Sequence, residues 1–427
     1  SSSIHIEGAP FHVRRTGRGA WPGSSARQRA EMDFLDTAVR HYILAAKRAS
    51  PGSSPGVLEG RLAQRSLPPL RVTCAAGTFS LPVGEADEAA YSFDLETRHV
   101  FDELGHTIGV FSDDAVLSEP FPELCFSGEE DPLELGCIRI VSGEIMAEMQ
   151  DPSNADAWFV LPSQFNGVEY VSCWSPTQQI SEYILDKTAG PRGQLAVHPG
   201  VGQFLLDNAA RDACPDGMTA LDALLPALQE CLGEPLQYVP YVRNGYLVLP
   251  SCPLELQDGV LERLHSNLHT IRCLAMSGVP ACGLTPSFGK RSSATHKVNV
   301  VYASAVPVQS YLNRGDASQA PFQQDVSRMM IAAQFFGALR LAAERARPGA
   351  RATVFLLPLG AGAFKNSTAA IARAISDAVE CLSRSASGLA DVRELLDIRV
   401  LMYARAPDQA EEMTKLLGGL RKLVPAT

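Results

Sequence analysis

The stretch ATVFLLPLGAGAFKNSTAAIARAISDAVECL, residues 352–382, decides the fold. It opens with a near-continuous apolar run, which reads as a buried strand over 352–360. Gly360, Ala361, Gly362 and Ala363 then form a loop with almost no side-chain volume before Phe364. A helix is predicted over 367–384. Strand, tight loop and helix form the repeating unit of an α/β fold, in which ligands bind beyond the carboxyl ends of the strands. A small-residue loop there offers backbone N–H groups and a helix N-terminus to a phosphate. The Walker and Rossmann glycine spacings are absent, and a tight turn needs glycine on steric grounds alone, so both readings stand at this point.

The same alternation runs through the last third of the chain. Strands are predicted at 297–308 and 397–404, and helices at 322–347, ended by Pro348-Gly349, and at 408–422. Upstream, Trp158–Leu161 reads as a short strand followed by the polar loop SQFNG. The segment from 186 reads as a Gly/Pro-rich loop and then a helix ending near Ala210. MTALDALLPALQECL reads as an amphipathic helix kinked at Pro226. Asn244-Gly245 between apolar runs predicts a hairpin. Residues 1–150 read as an N-terminal extension with a helical arm near 25–47, and 151–427 as the principal domain.

The 427 residues are 46% hydrophobic and 20% charged, enough for a sizeable core. A net charge of −10 argues against general nucleic-acid or membrane-surface binding while allowing a local positive pocket. No apolar run is long enough to span a membrane, and the first residues lack a signal-peptide pattern, so a cytoplasmic location is expected. None of the ten cysteines forms a C-x-x-C pair, which speaks for buried thiols in a reducing compartment and against structural zinc. His265 and His269 have the spacing of two metal ligands but no third partner, so no metal is expected.

Three other strand-end segments carry candidate chemistry. In PSQFNGVEY, Gln164 and Asn166 could read a base edge or sugar hydroxyl. In TAGPRGQLAVHPGVG, Arg192 could meet a phosphate. In SYLNRGDASQAPFQQDVSR, Asp316 is a loop residue and Asp325 is expected in the first turn of a helix, where the dipole favours a carboxylate. Each also has a structural reading: a turn for Asp316, and helix-end charge or pairing with Arg328 for Asp325.

The ordered combination of SQFNGVEY, TAGPRGQLAVHPGVGQFLLDNAA, VYASAVPV and LPLGAGAFKN resembles the MavL-like atypical macrodomain family. Members of that family remove ADP-ribose from arginine, and they are related to poly(ADP-ribose) glycohydrolase-type macrodomains. The resemblance covers about residues 155–425. It implies a three-layer α/β/α macrodomain with a mixed central sheet, preceded by a helical or irregular extension. It also implies an ADP-ribose cleft formed by Gln164, Phe165, Asn166, Gly167, Arg192, Gln194, Gly360, Ala361, Gly362, Ala363, Phe364 and Asn366. Asp316 and Asp325 take the catalytic role by the same resemblance. Where the glycohydrolases have consecutive glutamates, this chain has Gln324-Asp325, which counts against cleavage of the polymer. The expected partner is ADP-ribose or ADP-ribosylated arginine on a protein, with no cofactor. The alternative is a reader that binds ADP-ribose without cleaving it.

Overall fold

The computed structural model describes residues 138–418 except 170–172, 174–182, 184–185, 187, 199–200, 203–204, 206–218, 223, 233–239, 287–291, 309–316, 348, 386–391 and 404–406, plus the backbone of five strands between 70 and 111. Those five are β1 (Leu70–Cys74), β2 (Gly77–Leu81), β3 (Tyr91–Asp94), β4 (His99–Phe101) and β5 (Thr107–Phe111). After them come β6 (Ile138–Gly143), α1 (Ile145–Gln150), β7 (Trp158–Pro162), α2 (Ala189–Ala196), α3 (Leu224–Leu232), β8 (Tyr241–Arg243), β9 (Tyr246–Val248) and α4 (Leu254–Asn267). The chain continues through β10 (Leu274–Pro280), β11 (Lys297–Ala303), α5 (Ala320–Glu344), β12 (Ala352–Leu356), α6 (Thr368–Ser385), α7 (Val392–Leu395), β13 (Leu396–Tyr403) and α8 (Pro407–Gly418).

The main sheet runs β10-β11-β7-β12-β13-β6, and β5 continues it past β10 toward the other N-terminal strands. Every pair from β11 to β6 is parallel, whereas β10 is antiparallel to β11. The sheet is therefore mixed, with helices layered against it as an α/β/α sandwich. Residues 138–150, grouped by sequence with the N-terminal extension, supply its edge strand β6 and the helix α1. The helical arm near 25–47 lies outside the described residues.

The central strands read as unbroken apolar runs because both of their faces are covered. Phe159 of β7 and Phe355 of β12 are cross-strand partners, and their rings stack at 4.6 Å. The long helix α5 is apolar around most of its circumference and packs along β7, β11 and β12 on one side and α6 on the other. Its few buried polar side chains have specific work. The ladder of β11 stops at Ala303, and Gln334 takes over the backbone of Ser304, accepting from its N–H at 2.8 Å and donating to its carbonyl at 2.7 Å. Ser327 Oγ accepts the N–H of Val306 at 3.0 Å.

Two predicted segments differ from the structure. The stretch read as a loop from 186 contains α2. Pro191 sits in its first turn, where its missing N–H costs nothing. Gly190 and Gly193 let α2 lie directly on β7: a Cβ at Gly190 would fall 2.0 Å from the Pro162 carbonyl oxygen, and one at Gly193 would fall 2.6 Å from Leu161. Pro226 also lies in a first turn, that of α3, so it starts that helix rather than kinking it. The hairpin signal is correct: β8 and β9 pair around Asn244 and Gly245, both left-handed with φ of 48° and 73°.

Replacing Gln334 with Leu strands both backbone groups of Ser304 in the core. We expect a loss of about 2–4 kcal/mol in urea-unfolding stability, whereas an exposed α5 change such as Glu344→Gln moves it by less than about 0.5 kcal/mol.

Candidate ligand cleft

The carboxyl ends of β6, β7, β11, β12 and β13 open into one cleft of about 330 Å³. Gly143 and Glu144 line it from β6, Pro162–Gln164 and Glu169 from the segment after β7, and Ala303 and Ala305 from β11. Leu357–Phe364 line it after β12, and Leu401 and Tyr403 at the end of β13. Thr188, Ala189 and Arg192 contribute the start of α2, Tyr246 the hairpin and Gln409 the helix α8. Tyr246 and Phe364 meet at 5.6 Å between ring centroids and form an aromatic wall.

The two glycines of the 360–364 loop do different jobs. Gly360 has φ of 72°, and a Cβ there would fall 2.4 Å from Asn366 Nδ2 and 2.7 Å from Ala305 Cβ. It is required by the backbone turn and by close packing. Gly362 faces open space, and nothing stands within 4 Å of where its Cβ would be. Among the described residues, the amides of Gly362 and Ala363 make no hydrogen bond inside the protein, and both residues line the cleft, so the loop has two uncommitted donors.

Asn366, proposed from sequence as a ligand contact, instead anchors this loop. It is buried, its Nδ2 donates to the Val306 carbonyl at 3.0 Å, and its Oδ1 accepts from Gln324 Nε2 at 2.9 Å. Gln324 Oε1 in turn accepts the N–H of Ser367, whose Oγ caps the start of α6 by accepting from Ala370 N–H. The loop is thus fixed to both α5 and α6.

The SQFNG loop divides in a similar way. Gln164 lines the cleft. Phe165, Asn166 and Gly167 do not: Phe165 is core, Asn166 Oδ1 accepts the Val168 N–H, and the Gly167 carbonyl accepts from Gln194 Nε2 at 2.7 Å. Gly245 of the hairpin packs on this loop, with its own carbonyl accepting from Phe165 N–H. Gln194 is therefore a brace behind the loop and does not line the cleft.

Arg192 does line it, but its guanidinium is engaged. Nη1 donates to Glu144 Oε1 at 3.0 Å, while Glu144 Oε2 caps α1 through the Ala147 N–H at 3.1 Å. Of the two candidate acids, Asp316 lies outside the described residues. Asp325 lies in the second turn of α5, because the helix begins at Ala320, and it does not line the cleft. Its charge acts on Arg328, which reaches the buried Asp377 of α6 at 3.7 Å. Arg373 holds the same carboxylate at 2.8 Å.

Two acids line the cleft, Glu144 and Glu169; Glu169 lies within SQFNGVEY but is not marked out by its residue type. Glu144 escapes a reading by residue type in the same way. The available signals are a lone carboxylate after a strand-end apolar stretch and another directly after Gly143. Glu169 keeps some exposure as a residue, yet its Oε2 is sealed from water and has no hydrogen-bond partner among the described residues. Burial, reinforced by the negative charge of Asp186, pushes its carboxyl up to about 8, and the Thr188 hydroxyl at 3.3 Å opposes this weakly.

Among the described residues, no cluster of side chains could hold a metal ion, and no helix is long and apolar enough to cross a membrane. Cys173, Cys252, Cys273, Cys282 and Cys381 are buried free thiols, and burial pushes Cys273 up to about 12.

No known protein-family pattern matches the chain, and no curated protein does. Among solved structures, it is similar to poly(ADP-ribose) glycohydrolase from Deinococcus radiodurans in complex with ADP-ribose. That match has 13% identity over 71% of this chain and 90% of the other, with a TM-score of 0.37. The glycohydrolase from Thermomonospora curvata gives 12% identity over 74% and 92%, with a TM-score of 0.34. Nothing about this chain's reaction follows from likeness at that level.

The cleft separates two kinds of glycine by experiment. Gly362→Val should leave the melting temperature almost unchanged while blocking the loop's donors to any anionic ligand. Gly360→Ala should cost about 1–2 kcal/mol or more, because it forces a left-handed alanine into contact with Asn366. Thermal melts of the two variants distinguish these roles. For Glu169, the value of about 8 lies above its ordinary 4.5, so between those pH values the folded chain keeps a proton that the unfolded chain has released. Its contribution to stability therefore falls as pH rises through that window. Glu169→Gln should melt with wild type near pH 5 and progressively above it toward pH 8, as scanning calorimetry across that range would record.

Proposed function

We propose that this protein is an ADP-ribosyl hydrolase that removes mono-ADP-ribose from arginine side chains by hydrolysing the N-glycosidic bond. The observation that carries the binding half is the 360–364 loop, which lines a cleft at the carboxyl ends of five strands and has two uncommitted backbone amides. A diphosphate needs donors on a backbone that side chains do not crowd, and Gly362 leaves that space. The aromatic wall of Tyr246 and Phe364 suits a ribose or base face. The ordered motifs shared with the MavL-like family support the hydrolytic half and the choice of arginine. A cationic guanidinium suits a site served by carboxylates, whereas an ester-linked carboxyl gains nothing from one.

We assign the water-activating or ribose-orienting role to Asp316, since Asp325 stands away from the lining. That displacement of Asp325 favours one second reading, a reader that grips ADP-ribose and does not cleave it.

The test is release of ADP-ribose from an ADP-ribosyl-arginine peptide, beside an ADP-ribosyl-glutamate peptide and poly(ADP-ribose). Turnover confined to the arginine substrate, falling about 10²-fold or more in Asp316→Ala, supports the assignment. Micromolar binding of ADP-ribose with no turnover of any substrate would establish the reader instead.

A further inference from the structure

We infer that Glu169 is a ligand-contacting residue of the cleft, presenting a carboxyl O–H at Oε1 to a ribose or phosphate oxygen of bound ADP-ribose. The inference rests on the ADP-ribose reading above and extends it to a residue that neither the sequence motifs nor the loop geometry assigned.

The two carboxyl oxygens lie in different surroundings. Oε2 is turned into the protein, against the Cα of Gly190 at the start of α2. A Cβ at position 190 would fall 2.2 Å from it, so the glycine makes room for this oxygen. Oε2 is sealed from solvent and has no donor among the described residues, and a negative charge there would be unsolvated. Oε1 lies 3.3 Å from Thr188 Oγ1, and both residues line the cleft. Thr188 has one hydroxyl proton and a closer acceptor, Asp186 Oδ1 at 2.7 Å. Glu169, a residue of the cleft lining, is thus left without a strong internal partner at Oε1.

The charged neighbours point the same way. Asp186, in the segment before α2, repels a second negative charge and, after the larger effect of burial, helps raise the Glu169 carboxyl to about 8. The cation nearest along α2, Arg192, is held across the cleft by Glu144 at 3.0 Å. Behind Glu169, the Tyr183 hydroxyl accepts the Glu169 backbone N–H at 3.0 Å. At neutral pH the group is therefore an acid carrying its proton, and a protonated carboxyl is the form that donates to an oxygen.

Calorimetric titration with ADP-ribose from pH 7 to 9 tests this, because the ligand's diphosphate keeps its charge over that range. Only the protonated fraction of Glu169 is competent, so wild-type affinity should weaken about tenfold between pH 7 and pH 9. Binding at pH 8.5 should also take up protons, measured by repeating the titration in buffers of different ionisation enthalpy. Glu169→Gln keeps a donor and loses the titration. It should bind within about threefold of wild type at pH 7, independently of pH and without proton uptake, while Glu169→Ala should lose about tenfold throughout. Wild-type binding that ignores pH and takes up no proton overturns this inference alone and needs no variant to fold. No binding of ADP-ribose at any pH overturns the ADP-ribose reading as well.

Discussion

The structure depends on how backbone hydrogen bonds are satisfied where the parallel ladder stops. A strand that ends inside a protein leaves N–H and C=O groups that must find partners, since water does not reach them. Here the partners are side chains, most of them from one buried helix. Gln334 pairs with both groups of Ser304, Ser327 takes the N–H of Val306, and Asn366, held by Gln324, takes its carbonyl. These bonds let β11 leave the ladder without being followed by its neighbours. They open the space that Ala303 and Ala305 line. Polar residues in an otherwise apolar helix thus satisfy the backbone on the β11 side of the cleft.

The same division of labour explains which parts of the fold were legible in the sequence. The strands β7, β11, β12 and β13 and the helices α5, α6 and α8 declare themselves by runs and periods, because a two-sided sheet demands continuous apolar strands, whereas β10 was not marked out. The Asn244-Gly245 hairpin was legible because two successive left-handed residues admit few sequences. α2 was not, since AGPRGQLA carries two glycines and a proline and no apolar stripe. Its glycines serve contact with β7 rather than flexibility, and only the neighbouring strand reveals that.

The candidate site was legible as a place more than as a set of side chains. The motifs at 162–170, 186–198 and 360–366 do converge on one cleft. Within them, residue type misled. Asn166, Gln194 and Asn366 look like ligand-reading amides, but the hydrogen bonds they make hold loops. Glu169 looks like an ordinary loop carboxylate but lines the cleft. What separates these cases is which atoms have partners, and the partners come from segments far apart in the chain.

The edge strand β6 and the turn after it have a consequence for modularity. Glu144 closes three things together: the end of β6, the first turn of α1 and the guanidinium of Arg192. A fragment cut at residue 151 would keep every glycine of the 360–364 loop. It would also bare the hydrogen-bonding edge of β13 and strand a half-buried cation in the cleft wall. The cleft lining therefore draws on both sides of residue 151. The residue that neutralises Arg192 thus comes from the turn after the edge strand, outside the sequence motifs that converge on the cleft.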